Sequence, residues 1–265
     1  MTVNRPKGPR NTKGFDWYAR AQAEAGERAE PPELAQLVPP RIAQAPERRR
    51  AWMEFSVGGA PVPGRVVVAL LDVYVPETCA RFVALRVSAR GYAKTPVKRI
   101  VRDVAVMLGD VDVGALVDQG LYAIRDEAFV MHHGAAGVVS MASAGRDTGR
   151  SQFFITLSSQ VQMDGVCVPF GCVEAGLDVV RKVGGVFTHM QRPLTPVVLE
   201  ACGVMAPAEA AAFLAAAKAE ADAKAAAAVA AAKREQEQRG KTGKQQGKVA
   251  DAGARKGKQQ QQQQA

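Results

Sequence analysis

The residues able to do chemistry are few and scattered. His132 and His133 adjoin each other upstream of Ser140 and Ser151. With a nearby aspartate, such a set could supply the nucleophile, base and orienting acid of a hydrolase. No G-x-S-x-G elbow holds either serine, so ordinary strand and loop residues are the better reading. His132, His133 and His189 with Cys79, Cys167, Cys172 and Cys202 could bind a metal, but none has ligand spacing. Surface histidines and buried thiols are expected instead, with Cys202 in the core and neither metal nor cofactor. A redox or metal role for Cys167 is the weaker alternative. Gly145-Arg-Asp-Thr-Gly149-Arg-Ser151 is one residue short of a phosphate loop and lacks its lysine, so it reads as a turn. Arg99 is either a structural arginine paired with a nearby acid or a permanently charged, rigid donor available for catalysis.

The elements that must carry these residues are mostly strands. Trp52–Val57 alternates, Gly58-Gly59 turns, and 65–71 is a β-branched run. Pro76 opens a helix with Cys79, Phe82, Val83 and Val87 near helical spacing. Short strands are expected at 97–101, 104–108, 137–141, 152–157 and 166–170, with Asp164-Gly165 as a hairpin turn between the last two. A second helix at 176–183 and a closing strand at 197–204 complete the set. Many short strands with two helices suggest a closed barrel or a sandwich.

The chain has 265 residues, 47% of them hydrophobic, and no run of about 18 apolar residues, so a sizeable core but no membrane span is expected. Its net charge of +9 is unevenly placed. Residues 1–50 carry 10 Lys/Arg against 6 Asp/Glu, residues 51–205 carry 14 against 14, and residues 206–265 carry 11 against 6. Attraction to RNA, a ribonucleoprotein or another acidic surface therefore belongs to the extensions. The basic tail lacks the aromatic residues that base stacking needs, which makes a solvating role the blander alternative.

Residues 1–50 form a basic, proline-rich extension, with a short helix over 17–25 capped by Asp16 and a linker ending in Arg48-Arg49-Arg50. The N-terminal stretch has no apolar region of a secretory signal, and its prolines and glycines spoil the amphipathic helix of a mitochondrial one. A reducing, cytoplasmic location is expected, with nucleus or mitochondrion as alternatives. From 206 to 240 an Ala-rich helix is expected, begun at Pro207, stopped at Gly240 and supported by Glu220 and Lys224 at i, i+4. Residues 241–265, ending in the Gln259–Gln264 run, read as disordered.

Gly137-Val-Val-Ser-Met-Ala-Ser-Ala-Gly145 followed by Ser151-Gln-Phe-Phe-Ile-Thr156 resembles the signature of the cyclophilin family. Met163-Asp-Gly165, Phe170-Gly171 and Gly176-Leu-Asp-Val-Val180 continue it, and Gly64-Arg65, Val75-Pro76-Glu77-Thr78 and Phe82 resemble the family's first hairpin and helix. The resemblance covers residues 51–205. It implies a mainly β fold, a closed eight-stranded antiparallel barrel capped by two helices, with the ligand groove on its outer face. It also implies an activity, cis/trans isomerisation of the bond before proline. That barrier of ~18–20 kcal/mol comes from amide resonance. A donor that engages the prolyl nitrogen as conjugation is lost stabilises the twisted state, and an apolar slot holds the ring meanwhile.

The family's catalytic strand pair typically reads F-H-R-I-[IV]-P-x-F-M-x-Q-G-G-D, and this chain reads Val97-Lys-Arg-Ile-Val-Arg-Asp-Val-Ala-Val-Met-Leu-Gly-Asp110. By that resemblance Arg99 falls on the catalytic arginine. Val104 and Ala105 replace the Phe and Met that wall the proline slot, and Met107 replaces the glutamine that orients arginine and substrate. Ala142, Gln152 and Phe154 match groove residues. Ser143 stands for a usual asparagine used through its backbone, Gln162 for a frequent tryptophan, Met163 for leucine and Cys167 for histidine. The Gly-rich loop expected between Asp110 and Phe129 is shortened and has lost its glycines. Shrinking the aromatic wall should cost about 1–2 kcal/mol and losing the glutamine's hydrogen bonds about 1–3 kcal/mol. Together these slow the reaction by roughly 10² to 10⁴. Two functions follow: an isomerase of reduced activity acting on proline-containing client segments, or a non-catalytic proline-binding scaffold tethered by its basic extensions. Weak cyclosporin binding is expected in either case, because Gln162 replaces the tryptophan.

Overall fold

The computed structural model describes residues 48–87, 91–111, 122–224 and 226–227. The expected helix at 17–25, the proline-rich linker, part of the 110–129 loop and the basic tail lie outside them. The chain divides into two compact units, Met1–Leu214 and Ala215–Ala265. In the second, residues 215–224 and 226–227 are helical and almost wholly exposed, with Lys224 Nζ 2.6 Å from Glu220 Oε1. Among the described residues no helix is long and apolar enough to cross a membrane.

The first unit is built on β1 (Arg50–Val57), β2 (Ala60–Pro61), β3 (Val66–Leu70), β4 (Thr95–Pro96), β5 (Arg99–Val101), β6 (Ala105–Leu108), β7 (Val138–Met141), β8 (Phe153–Thr156), β9 (Pro169–Ala175), β10 (Thr188–His189), β11 (Arg192–Pro193) and β12 (Val197–Met205). All but β10 and β11 form one antiparallel sheet ordered β4-β12-β1-β3-β9-β7-β8-β6-β5, with β2 on β1. The mainly β class and the cyclophilin-like plan are therefore as expected, with one correction. The barrel is not fully closed by hydrogen bonds, because its edge strands β4 and β5 form no ladder with each other. They are one stretch of chain separated by Val97 and Lys98, and Val97 N–H donates to Val197 O at 2.8 Å, carrying the β12 pairing to the gap. The curled sheet is thus bridged covalently where a ladder was expected.

Inside it, period-two alternation sends Met53, Val68, Ile100, Val106, Leu108, Val139, Phe153 and Ile155 into the main core. Helix α1 (Pro76–Val87) closes one end. Its buried face is Cys79, Phe82 and Leu85, with Val83 only half-buried. Phe82 packs at ring-centroid distances of 5.3 Å from Tyr92, 5.2 Å from Phe153 and 5.2 Å from Phe170. The first turn of α1 is capped from a distance: Glu127 accepts from the N–H groups of Glu77 (3.0 Å) and Thr78 (2.9 Å) and from the Thr78 hydroxyl (2.9 Å). A carboxylate on orphan N–H groups at the positive end of a helix is favourable. Glu127→Ala should lower stability by about 1–2 kcal/mol, read from urea unfolding, with the transition slope unchanged. Helix α2 (Leu177–Gly184) closes the other end with Val179, Val180 and Val183 buried. Gly176 precedes it at φ 82°, and a Cβ there would lie 2.3 Å from Arg65 O, so only glycine fits.

Two sequence readings change here. Asp164-Gly165 does not join a hairpin, because β9 pairs β3 and β7 and leaves β8 to β6 and β7. Its turn instead follows a single 3-10 turn at Val161–Met163. The three arginines at 48–50 are not a free basic linker either. Arg48 lies over the Tyr74 ring at 5.6 Å, Arg49 pairs with Asp72, and Arg50 pairs with Glu174 at 2.7 Å. At the other end, residues 207–214 are helical. There Ala210, Phe213 and Leu214 pack with Val67, Met205, Trp52 and Ala175 on the sheet's outer face. Trp52 lies flat across β12 because its partner is Gly203, where a Cβ would sit 2.2 Å from the indole nitrogen.

Candidate functional site

The residues that alternation turns away from the core meet on the outside of β5, β6, β7 and β8. Register places Arg99 opposite Met107, Met107 opposite Phe154 and Phe154 opposite Ser140. Residues directly opposite in antiparallel strands share a face. One rung therefore crosses four strands, with Arg99 and Phe154 about two strand spacings, ~10 Å, apart. Ala105, Met107, Ala142, Phe154, Met163 and Cys167 form a single apolar cluster there, distinct from the main core, with Val104 and Val166 packed at its border. Six candidates from four different segments thus come together, with Val104 against them. The cluster is close-packed: Phe154 and Met163 are fully buried, and Met107 and Ala142 each keep 8% of their surface.

Arg99 is half-buried at the end of the rung, its Nη1 shielded from solvent. Asp110, at this end of the strand pair, pairs with Lys98 and accepts from Gln152 Nε2 at 2.6 Å. Gln152 is therefore at the site, but tied to Asp110. Ala142 N–H donates to Gln152 O at 2.9 Å, which holds these two segments together. Ser143 is half-buried at the mouth of a turn closed by Thr148, whose hydroxyl accepts from Ala144 N–H and donates to Gly145 O, both at 2.8 Å. This is the segment that resembled a phosphate loop, and it is a turn. Gln162, half-buried on the 3-10 turn, donates to Gln160 Oε1 at 2.5 Å. Gln160 Nε2 donates to Ser158 Oγ at 2.8 Å, and Ser158 donates to Asp103 O at 2.5 Å, a chain of hydrogen bonds from the 3-10 turn to the β5–β6 turn.

Behind the cluster lies a set that sequence reasoning set aside. His133 is fully buried, a correction to its expected surface position. Its Nε2 is 2.6 Å from Ser140 Oγ and its Nδ1 is 2.8 Å from Asp164 Oδ1, while its own N–H donates to the same oxygen at 2.7 Å. His132 Nδ1 lies 2.7 Å from Asp164 Oδ2. Ser140, His133 and Asp164 thus hold the spacings of a nucleophile–base–acid triad. Ser140 is fully buried inside a strand, so no substrate reaches it. What the set does is fix a ring: His133 stacks on Phe154 with centroids 6.0 Å apart at 24°. Burial raises the Asp164 pKa, but hydrogen bonds from the His133 side chain, its backbone N–H and His132 outweigh it, and the carboxyl is held below its ordinary range. The signal was present as adjacent histidines and an Asp-Gly turn, but nothing in their spacing showed which histidine turned inward.

The other overlooked element is the β10–β11 hairpin. Its two-residue turn is Met190 (φ 48°) and Gln191 (φ 65°), left-handed positions where Asn-Gly is usual. Each non-glycine residue there costs about 1–2 kcal/mol. The tip is pinned beside β5, with Ile100 N–H donating to Gln191 O at 2.8 Å. Among the described residues no group of three or more His, Cys, Asp or Glu side chains could hold a metal ion. The four cysteines are unlinked, with Cys79 and Cys167 buried and Cys172 and Cys202 partly so. Burial pushes the Cys172 thiol up to about 11 and the Cys79 thiol higher still, leaving both inert near neutrality.

A curled antiparallel sheet with an arginine and a buried aromatic on one outer rung defines a cyclophilin-like domain. The family model described as cyclophilin type peptidyl-prolyl cis-trans isomerase/CLD matches residues 52–204, and the chain belongs to that family. Among curated relatives it is similar to the NK-tumor recognition proteins of Mus musculus and Homo sapiens, each 31% identical over 176 residues. The match covers 61% of this chain and 12% of either relative, so the shared part is the domain and not those whole proteins.

Proposed function

We propose that the chain is a peptidyl-prolyl cis-trans isomerase of reduced rate, acting on Xaa-Pro bonds in proline-containing segments of client proteins. The observation that carries this reading is the rung Arg99–Met107–Phe154, which sets a fixed cation beside an apolar cluster on the sheet's outer face. The proline ring sits against the members of the cluster that keep some surface, Val104, Met107 and Ala142, with Phe154 packed behind them, and the guanidinium donates toward the prolyl nitrogen as the amide twists. No nucleophile, metal or cofactor takes part in this mechanism. The rate is reduced because Met107 cannot donate to or accept from the substrate as an amide would, and because Val104 gives less ring contact.

The loss of the family's Phe, Met, Gln and His at Val104, Ala105, Met107 and Cys167 favours a second reading, a proline-binding module that catalyses little. In that reading the Lys/Arg-rich extensions hold a ribonucleoprotein or another acidic partner in the cytoplasm or nucleus. Isomer exchange measured by NMR on a short Xaa-Pro peptide separates the two. Acceleration by the wild-type chain that Arg99→Ala abolishes is the expected result. Peptide shifts without acceleration would assign the module instead. Cyclosporin titrated into the same sample should bind weakly, because Gln162 offers a flexible amide already bonded to Gln160 and no aromatic face. Submicromolar affinity would contradict this.

A further inference from the structure

The hairpin beside the catalytic strand carries a patterned outward face. Thr188 pairs with Pro193 and His189 with Arg192, and Leu194 N–H donates to Phe187 O at 2.8 Å, extending the pairing to Phe187 and Leu194. By the two-residue alternation of strands, Phe187, His189, Arg192 and Leu194 share one face while Thr188 and Pro193 share the other. Burial agrees, since the first four are exposed and the last two half-buried. The face therefore shows solvent an apolar rung, Phe187 (75% exposed) with Leu194 (67%), next to a polar rung in which His189 stands opposite the cationic Arg192. Met190 (85% exposed) stands at the tip, on the strained turn held to Ile100, the residue after Arg99.

We infer that this hairpin is a second docking surface for the client chain, selecting a segment with an apolar residue adjacent to an acidic one near its proline. The inference rests on the proposed proline-binding site. Three features support it: the exposed apolar pair, the exposed cation Arg192 on a domain of zero net charge, and continuity with the strand that carries Arg99. Strain retained at an exposed turn is itself a mark of functional segments. The tip lies about one strand spacing from β5 and the apolar rung about three residues further, roughly 15 Å in all. An extended client reaches it about four or five residues from its proline.

The test uses the full chain labelled with ¹⁵N and three peptides. The first is a minimal Ala-Pro peptide. The second carries Leu-Glu four residues from the proline, made in two versions with the pair on either side. The third replaces Glu with Gln. One of the Leu-Glu peptides should bind about tenfold tighter than the Leu-Gln and minimal peptides, with amide shifts spreading over 187–194. Phe187→Ser/Leu194→Ser and Arg192→Gln should each remove that advantage by raising KM, and leave exchange of the minimal peptide unchanged. Equal affinity for the Glu and Gln peptides would overturn the inference, as would shifts that never reach the hairpin. So would a chain dimer that the Phe187→Ser/Leu194→Ser variant dissociates with no change in peptide affinity, which would make a second copy the occupant. If the wild type accelerates no peptide, the catalytic reading fails, while shifts at 187–194 still report on the hairpin.

Discussion

Restoring two of the altered site positions, Val104→Phe with Met107→Gln, should raise kcat/KM on a standard Xaa-Pro peptide by roughly 10² to 10⁴. The two changes act differently. A phenylalanine at 104 enlarges the wall against the proline ring in ground and transition states alike, so Val104→Phe alone should lower KM. Val104 is half-buried at the border of the cluster, where a larger ring displaces solvent and not packed neighbours. Met107 is different, since it sits between Arg99 and Phe154 and keeps 8% of its surface. Glutamine is close to methionine in length, so Met107→Gln puts an amide beside the guanidinium without a large volume change. That amide orients Arg99 and the substrate carbonyl, and its effect should appear in kcat. Adding Arg99→Ala to the double variant should return the rate to the uncatalysed level. A gain that survives Arg99→Ala, or no gain at all, would show that these positions do not limit the reaction.

The outer apolar cluster was legible because its strand residues obey the simplest pattern in a sheet. Ala105 and Met107 alternate with Val106 and Leu108, and Phe154 alternates with Phe153 and Ile155, so register and face followed from the strand assignment. The roles proposed for these residues come from the family resemblance and not from alternation. What stayed hidden depended on contacts distant in the chain. Asp-Gly is a strong turn signal, and the turn exists, but whether its flanking strands pair is decided by β7 taking the place beside both β8 and β9. Histidine is usually partly exposed, and His133 is buried because Asp164 and Ser140 satisfy both ring nitrogens. The β10–β11 turn escaped because Met190-Gln191 carries none of the glycine or asparagine that marks such turns. The arginines at 48–50 looked like linker charge until Asp72, Glu174 and Tyr74 came within reach.

Removing the acid of the buried His133 set should have a large effect on stability. Asp164, with 9% of its side chain exposed, accepts from the His133 backbone and meets both imidazoles. Asp164→Ala leaves His133 without its Nδ1 and N–H acceptor deep behind Phe154, and a buried group stripped of its partner costs about 3 kcal/mol or more. For a domain of this size that lowers Tm by about 6–12 °C. The pH dependence has a fixed sign. The folded carboxyl is held below its ordinary value, so the unfolded chain binds the proton first as pH falls. The stabilisation is complete above the unfolded carboxylate pKa of about 3.9 and is lost as pH drops through the lower folded value. Wild type and Asp164→Ala should therefore differ most near neutrality and converge in acid, read as Tm against pH by calorimetry. Because His133 stacks on Phe154, the variant should also weaken proline-peptide binding at temperatures where it remains folded. A Tm gap unchanged down to strong acid would remove the ionised carboxylate from the account, and unaltered peptide affinity would separate this buried set from the groove it supports.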